Sequence, residues 1–288
     1  MRAVRVTRFG GPEVLDVSEV PEPVPGPGQK LIDVTVADVL SLDAQLRSGW
    51  GREWFGQTPP YIPGTGVAGL HEGRPVVAMV EGGYADRAVA GVVIPVPEAL
   101  EPVQAAALLQ AGPAALALAE AAALTDGDRV LVTAAAGGLG TLLVQLAAAS
   151  GAHVVAVAGS DGKRALALDL GATRVLGYAD ELPEVDVAFD GVGGTVGEAA
   201  FARTRRRFFA YGVASGSPAP VQGDRVTGME QVQFSPERHA ELTSRVLGLA
   251  ARGGLRPVIG LTEPLHRAAA AHEAIESRSV LGKTLLVV

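Results

Sequence analysis

Residues 129–147 read RVLVTAAAGGLGTLLVQLA, and this stretch decides the fold. Its first five residues form a short run that is mostly apolar and rich in β-branched side chains, which is typical of a buried strand. From Leu142 onward the apolar residues have helical spacing and are good helix formers. The glycines between these segments allow a close backbone approach, and a helix that begins there points free N–H groups at an anion. The stretch therefore predicts a strand, a glycine turn and a helix that hold the phosphates of a dinucleotide.

The next apolar run, His153–Ala158, predicts the second strand of such a unit, whose carboxyl end faces the adenosine ribose. NAD-specific proteins usually place Asp or Glu at this point. Here Gly159 and Ser160 come first, and the first carboxylate is Asp161. Ser160 can donate a hydrogen bond to a phosphate and Lys163 can pair with its charge, so the pattern favours NADPH. The alternative is that Lys163 is an ordinary solvated lysine at a helix start.

Composition limits the classes of protein to consider. The chain has 288 residues, enough for two domains or one large one. Because 48% of the residues are hydrophobic and 19% are charged, the chain can bury a sizeable core. Its net charge of −7 argues against a nucleic-acid surface. The absence of cysteine excludes disulfides, a thiolate nucleophile and a cysteine zinc site, and we expect no metal. Without a signal-peptide pattern or a long apolar run, we expect a cytoplasmic protein with no membrane span.

The character of the sequence changes near residue 100. Residues 1–98 read as short strands and turns, whereas helical stretches alternate with short buried strands from residue 99 onward. That alternation predicts a doubly wound parallel sheet. We predict strands at 129–133, 153–158, 174–176, 185–189, 206–212 and 256–259, and helices at about 102–123, 138–150, 161–170, 195–204, 236–253 and 264–277. A last strand, 283–288, could return to the first domain.

Six segments, in order along nearly the whole chain, resemble motifs of one family. They are Asp43–Gly49 (D-x-x-x-R-x-G), Pro63–Gly69, Gly83–Asp86, Ala134–Gly140 (A-x-x-G-x-x-G), Asp186–Gly194 and Gly282–Leu286. Together they resemble the zinc-independent medium-chain dehydrogenases/reductases of the quinone oxidoreductase (zeta-crystallin-like) group. The resemblance implies an α/β protein with two domains. Residues 1–100 and 260–288 would form a GroES-like, β-rich catalytic domain, and residues 101–259 a Rossmann domain with a doubly wound parallel sheet.

The resemblance also implies NADPH as the cofactor and a set of residues that bind it. Gly138, Leu139 and Gly140 would meet the pyrophosphate. Lys163 and Tyr178 would grip the 2′-phosphate and the ribose of the adenosine. Tyr211, Gly212 and Val213 would lie near the nicotinamide. With neighbours from the same motifs, the predicted cofactor-binding residues are Ala136, Gly137, Gly138, Leu139, Gly140, Gly159, Ser160, Lys163, Tyr178, Gly191, Val192, Tyr211, Gly212 and Val213. Homodimers are usual in this family.

Asp43 and Arg47 are the candidates for a catalytic role. They are four residues apart, so on a helix they would pair. The pair is either a plain surface ion pair or lies at the mouth of the substrate cleft, where Arg47 polarises a carbonyl oxygen. The chain departs from the family nearby. Leu40 stands where the family often has Asn, and the tyrosines that the family often has here are absent, replaced around Gln45 and Trp50. The segment between Ala68 and Gly83 is contracted, so the substrate pocket is reshaped.

Aromatic residues cluster at Trp50, Trp54, Phe55 and Tyr61 in a chain that is only 5% aromatic. Two interpretations stay open for this cluster. The rings line an apolar slot in which a flat acceptor stacks, or they belong to the core of the domain.

The predicted function is NADPH-dependent, zinc-independent hydride transfer to a small-molecule acceptor, either a quinone or an α,β-unsaturated carbonyl. The cofactor carries this chemistry, and the conjugated acceptor spreads the negative charge itself. The alternatives are a reductase of enoyl thioesters or 2-alkenals and a non-catalytic NADPH-binding protein. A short-chain dehydrogenase would need a lysine four residues after a tyrosine, and the chain has no such pair.

Overall fold

The structure is a computed structural model that describes residues 1–288. Its strands, in chain order, are β1 (Arg2–Val6), β2 (Leu15–Glu19), β3 (Lys30–Val39), β4 (Gly66–His71), β5 (Arg74–Met79), β6 (Arg87–Ala90), β7 (Ile94–Pro95), β8 (Arg129–Val132), β9 (His153–Val157), β10 (Arg174–Leu176), β11 (Val185–Asp190), β12 (Thr204–Ala210), β13 (Val226–Thr227), β14 (Ile259–Pro264) and β15 (Lys283–Val287). Its helices are α1 (Ser41–Ser48), α2 (Arg52–Phe55), α3 (Pro102–Leu109), α4 (Ala111–Ala122), α5 (Gly138–Ala149), α6 (Asp161–Asp169), α7 (Gly194–Ala202), α8 (Pro236–Ala251) and α9 (Ala268–Glu276).

The chain forms two compact units. Unit 1 comprises Met1–Gln110 and Thr243–Val288, and unit 2 comprises Ala111–Leu242. The domain limits predicted from the sequence are 1–100 with 260–288 for one domain and 101–259 for the other. The compact units differ from these limits in grouping α3 and the residues after 242 with unit 1.

Unit 2 is built on a parallel sheet with strand order β10-β9-β8-β11-β12-β13. Its central strands are apolar because both faces are covered, and Phe189 of β11 stacks on Phe209 of β12 with ring centroids 5.2 Å apart. The strand order reverses direction between β8 and β11. In such sheets a crevice opens at the carboxyl ends of the strands beside the reversal. The doubly wound α/β fold that the sequence predicts is confirmed.

Unit 1 is built on a seven-stranded sheet of order β14-β15-β3-β4-β5-β7, with β6 also paired to β3. All of its strand pairs are antiparallel except β14 with β15. The last strand returns to the N-terminal strands, since Leu286 of β15 lies opposite Ala37 of β3. The core beneath the sheet includes the buried side chains Val4, Ile32 and Tyr84.

Three predicted elements differ from the structure. The single helix expected at 102–123 is two helices, α3 and α4, because Pro113 has no N–H and its ring clashes with the carbonyl four residues earlier. The strand expected at 256–259 begins only at Ile259, after Pro257, and pairs with β15 in unit 1, while β13 is the sixth strand of the parallel sheet. The helix expected at 264–277 starts at Ala268.

No single helix combines the length and the apolar composition that a membrane crossing requires. The adjacent helices α3 and α4 meet those limits only when they are counted together across the bend between them.

The contracted segment of unit 1 is a tight hairpin. Glu72 and Gly73 alone join β4 to β5, with φ angles of 49° and 75°. Two central residues with positive φ define the type I′ turn, whose twist matches that of the flanking strands. The hairpin therefore replaces a longer connection with the shortest one that the sheet allows.

The substitution Gly69→Ala tests how closely β4 approaches β3. A Cβ at Gly69 would lie 2.2 Å from the backbone carbonyl oxygen of Asp33, so the strands must shift. We expect the free energy of unfolding of unit 1 to fall by about 2–3 kcal/mol. Denaturation followed by the fluorescence of Trp50 and Trp54, the only tryptophans and both in unit 1, measures the change.

The control is Gly91→Ala, where an added Cβ meets nothing within 4 Å. This control should change the free energy of unfolding by less than about 0.5 kcal/mol. If the free energy of unfolding of Gly69→Ala falls no more than the small change expected for Gly91→Ala, the β3–β4 pair tolerates the added methyl group.

Candidate coenzyme site and buried polar cluster

The turn between β8 and α5 forms the first part of the site. Helix α5 begins at Gly138, so the N–H groups of its first turn, from Gly138 to Gly140, have no acceptor within the helix. A Cβ at Gly140 would lie 2.3 Å from the carbonyl oxygen of Ala134, so only glycine allows the helix to pack this closely on the turn. Ala134 itself has a φ of 51°, which is uncommon outside glycine. The geometry fits an anion held at the N-terminus of α5.

The loops after β11 and β12 lie against each other. A Cβ at Gly212 would lie 2.4 Å from the carbonyl oxygen of Gly191, and one at Gly191 would lie 2.6 Å from the hydroxyl of Tyr211. The backbone N–H groups of Tyr211 and Gly212 both donate to the carbonyl oxygen of Asp190, at 3.0 and 3.2 Å. Burial raises the pKa of Tyr211, with the charge of Asp190 adding to the effect. The tyrosine is therefore a neutral hydrogen-bonding group at this edge.

A buried carboxylate joins the ends of β8 and β11. Asp190 accepts hydrogen bonds from the hydroxyl of Thr133 at 2.6 Å and from the backbone N–H groups of Val192 and Gly193 at 3.1 and 3.0 Å. The Thr133 hydroxyl in turn accepts from the N–H of Gly191 at 3.0 Å. Both side chains are completely buried. The network fixes the direction in which the turn after β8 and the loop after β11 leave the sheet.

The loops after β9 and β10 form the far end of the same edge. Ser160 caps α6, since its hydroxyl accepts a hydrogen bond from the N–H of Lys163 at 3.4 Å. A Cβ at Gly159 would lie 3.4 Å from the ring of Tyr178, which is partly exposed. The two strand ends are joined by the N–H of Ala158, which donates to the carbonyl oxygen of Leu176 at 3.0 Å.

The predicted cofactor-binding residues therefore lie at the carboxyl edge of the unit 2 sheet, either in the loops that follow its strands or in the first turns of α5 and α6. Ala136 and Gly137 precede α5, Leu139 is in its first turn, Val192 follows β11, and Val213 follows β12. Their roles toward a coenzyme stay predictions. The structure adds Thr133 and Asp190, which sequence analysis did not select. The sequence signal that could have identified Thr133 and Asp190 is their position, since each is a polar residue at the carboxyl end of a buried apolar strand.

Unit 1 contains the candidate Asp43. It lies in the first turn of α1 and is buried, where it accepts hydrogen bonds from the N–H of Leu40 at 2.8 Å and from the hydroxyl of Tyr84 at 3.2 Å. Burial raises the pKa of Asp43 to about 6, while the Leu40 hydrogen bond opposes the shift. The nearby Asp38 raises it further. This carboxyl is accordingly less acidic than a solvated aspartate.

The pairing of Asp43 with Arg47 expected from their spacing is wrong. Arg47 pairs through Nη2 with Glu276 of α9, on the other chain segment of unit 1. Its side chain is 0% exposed, so the surface ion pair is also wrong. The Nε and Nη1 atoms of Arg47 are buried without a hydrogen-bond partner. The catalytic assignment of Asp43 and Arg47 stays a prediction, and the burial of both side chains within unit 1 favours a structural role.

Tyr84 links Asp43 to His272 of α9. The Tyr84 hydroxyl and Nε2 of His272 are 3.2 Å apart. Because the one hydroxyl hydrogen of Tyr84 goes to Asp43, the imidazole donates from Nε2. Burial, together with the charge of Arg47, lowers the pKa of His272 to about 3, so the ring is neutral. Burial likewise raises the pKa of Tyr61 to about 12.

A buried ion pair lies beside this cluster. The ammonium of Lys283, in β15, is 2.6 Å from Oδ1 of Asp38, in β3. The side-chain amide of Gln110 donates to the same carboxylate at 3.3 Å. Burial raises the pKa of Asp38 to about 6, and the charge of Lys283 opposes it. The two neighbouring strands are thus joined by charge as well as by backbone hydrogen bonds.

The aromatic cluster is not part of the core. Trp50, Trp54 and Phe55 are exposed, Trp54 by 75%, and the Trp50 and Trp54 rings meet edge to face at 5.7 Å. The core interpretation is therefore wrong for these three residues, whereas Tyr61 is half-buried. Their segment lies between left-handed glycines, including Gly49 and Gly56.

Comparison with known proteins places the chain in a family. A family model described as a zinc-binding dehydrogenase matches residues 168–286. A quinone oxidoreductase of Sus scrofa is 32% identical over 324 aligned positions, which cover 100% of this chain and 98% of the relative. The chain belongs to the quinone oxidoreductase family of the medium-chain dehydrogenases/reductases. The resemblance predicted from the motifs, and with it membership of an oxidoreductase family, is confirmed.

Solved members of the quinone oxidoreductase family have the same fold over the whole chain. The quinone oxidoreductase of Thermus thermophilus, described alone and in complex with NADPH, is 34% identical with a TM-score of 0.84, and 100% of each chain is covered. The Escherichia coli quinone oxidoreductase complexed with NADPH is 25% identical with a TM-score of 0.90, again with 100% of each chain covered.

The family model is described as zinc-binding, but the side chains of this member do not fit a zinc ion. The chain has no cysteine, and no group of three or more His, Asp or Glu side chains is placed to hold a metal. Structural zinc sites need four protein ligands and catalytic sites need three.

Stability should depend on pH through Asp43. Its pKa is raised from 3.8 to about 6 on folding, so its contribution is fully present below about pH 4 and is lost as the pH rises through about 6. Asp43→Asn keeps an acceptor for the N–H of Leu40 but cannot ionise. Between about pH 4 and pH 7, the unfolding free energy of the variant should gain about 2–3 kcal/mol relative to the wild type.

Tryptophan-fluorescence denaturation at a series of pH values measures this difference. The matched control is Asp224→Asn, an exposed aspartate of unit 2, which should leave the pH dependence of unit 1 unchanged. A constant difference between Asp43→Asn and the wild type would mean that Asp43 ionises as a solvated carboxyl does.

Proposed function

We propose that the chain is an NADPH-dependent reductase that passes a hydride to a quinone or an α,β-unsaturated carbonyl without zinc. The observation that carries the proposal is the carboxyl edge of the unit 2 sheet, along which the loops after β9, β10, β11 and β12 lie and α5 presents free N–H groups. Similarity over the full chain to quinone oxidoreductases described in complex with NADPH supports it.

The residues of this edge fit NADPH. The turn from Gly137 to Gly140 would hold the pyrophosphate, because close packing of α5 on Ala134 leaves the N–H groups of the first turn available. Lys163, with Ser160 beside it, would hold the 2′-phosphate. Tyr211 and its neighbours, fixed through Asp190, would orient the nicotinamide. When bound, NADPH supplies the hydride, and the protein contributes position and electrostatics.

The acceptor is proposed to be conjugated because the chain offers no set of metal ligands to polarise an isolated carbonyl. A quinone or enone carries the developing negative charge on its own oxygen. The exposed aromatic residues Trp50, Trp54 and Phe55 supply flat apolar surface on which such an acceptor could stack. We also propose a homodimer, for which β13, the terminal strand of the parallel sheet, offers an edge.

Oxidation of NADPH and of NADH, followed by absorbance with a panel of quinones and 2-alkenals, tests the proposed reaction. We expect turnover with NADPH to exceed turnover with NADH by at least about tenfold and to persist in a chelator. The better acceptor decides between quinone and enone chemistry. Activity that is lost in the chelator and restored by zinc contradicts zinc independence, and NADPH binding without turnover on any acceptor favours the non-catalytic alternative.

The substitution Lys163→Ala tests the coenzyme assignment. Lys163 is one of three lysines and the only one in unit 2. A charge-assisted hydrogen bond to the 2′-phosphate is available only to NADPH, so the Kd of NADPH should rise about 10- to 100-fold and that of NADH less than about twofold. Fluorescence titration measures both constants, with Lys30→Ala of unit 1 as the control. Equal losses for the two coenzymes would remove Lys163 from the phosphate site.

A further inference from the structure

Arg164, the residue after Lys163, reaches back across the end of β9. Its Nη1 donates a hydrogen bond to the carbonyl oxygen of Ala158 at 3.0 Å, and its Nη2 pairs with the carboxylate of Asp161. A Cβ at Gly177, which follows β10, would lie 3.5 Å from Nη1. The guanidinium therefore lies between the carboxyl ends of two neighbouring parallel strands, with 27% of the side chain exposed.

Asp161 is an unfavourable neighbour for a phosphate at this point. It is the first carboxylate after β9, it directly follows Ser160, and its side chain is 99% exposed. A 2′-phosphate held by Ser160 and Lys163 would lie within a few ångströms of the α6 N-terminus, where like charges repel. A carboxylate near this strand end is also the group with which NAD-specific proteins bind the ribose 2′-hydroxyl. Left unpaired, Asp161 would disfavour NADPH.

We propose that Arg164 is a specificity-determining positioning residue that, by pairing with Asp161, allows the β9–α6 turn to accept the 2′-phosphate of NADPH. The inference rests on the proposed use of NADPH. The first four residues of α6 carry one negative charge, on Asp161, and two positive charges, on Lys163 and Arg164. The turn thus has a net charge of +1 toward the phosphate, and without Arg164 it would have none.

A purely structural role for Arg164 predicts a different result. Its hydrogen bond to Ala158 supports the loop after β9, which NADPH and NADH would share. If that support were its whole function, removing Arg164 would weaken both coenzymes equally. The pair with Asp161 acts through charge, so it distinguishes the coenzyme that carries the extra phosphate.

The experiment compares the full-length wild type with Arg164→Gln, Asp161→Asn and the double variant. The Kd values of NADPH and NADH are measured by fluorescence titration. Arg164→Gln should raise the Kd of NADPH about tenfold and that of NADH less than about twofold. Asp161→Asn should lower the Kd of NADPH relative to that of NADH, because the net charge of the turn rises from +1 to +2, and the double variant should return within about threefold of the wild type. The difference in the Kd of NADPH between Arg164→Gln and the wild type should become smaller as salt is added, because salt screens exposed charges.

Two results would overturn the proposal. One is an equal loss of affinity for NADPH and NADH in Arg164→Gln. The other is a loss of affinity for NADPH in Asp161→Asn as large as that in Arg164→Gln. Arg174→Gln, at the amino end of β10, is the control for removing an exposed arginine. Should Arg164→Gln prove unstable in a thermal melt, Asp161→Asn tests the proposal alone: tighter binding of NADPH relative to NADH supports it, and unchanged or weaker NADPH binding contradicts it.

The same titrations separate this proposal from the coenzyme assignment. A wild type with equal affinity for NADPH and NADH refutes the assignment, and the role of Arg164 fails with it. A wild type that prefers NADPH, loses the preference in Lys163→Ala and keeps it in Arg164→Gln refutes only the role of Arg164.

Discussion

The buried carboxylate of Asp190 fixes the carboxyl edge of the unit 2 sheet, where the candidate coenzyme site lies. It accepts the hydroxyl of Thr133 and the N–H groups of Val192 and Gly193, so the ends of β8 and β11 and the loop after β11 are joined by one side chain. A buried carboxylate costs little when donors surround it, and here they also determine its orientation. The glycine contacts between the β11 and β12 loops depend on that orientation.

The buried carboxylates of unit 1 have less complete hydrogen bonding than Asp190. Asp38 has a lysine within 2.6 Å, yet burial still raises its pKa, and Asp43 has only one backbone and one tyrosine donor. Around them, Arg47 and His272 keep buried nitrogen atoms without partners. Polar groups that are only partly satisfied cost stability, and the raised pKa values of Asp38 and Asp43 make the stability of unit 1 depend on pH.

The sequence predicted the parallel sheet and the loops at its edge because local signals carry them: short apolar runs, glycine turns and helical spacing. Apart from the helix break at Pro113, which is a local effect, the sequence-based predictions failed where the outcome depends on distant contacts. The i, i+4 spacing suggested that Arg47 pairs with Asp43, but Glu276, 229 residues away, takes its place. Similarly, nothing local reveals that β14 joins β15 rather than the parallel sheet, or that Trp54 stays exposed.

The insertion of β15 between β3 and β14 has a consequence for synthesis on the ribosome. Unit 2 is one continuous stretch and is complete once Leu242 has emerged, so it can fold while the rest of the chain is being made. The sheet of unit 1 must wait for residues 283–287, and until then the backbone edge of β3 that receives β15 is unpaired. During this interval the nascent chain presents an open strand edge, the feature that molecular chaperones shield from aggregation.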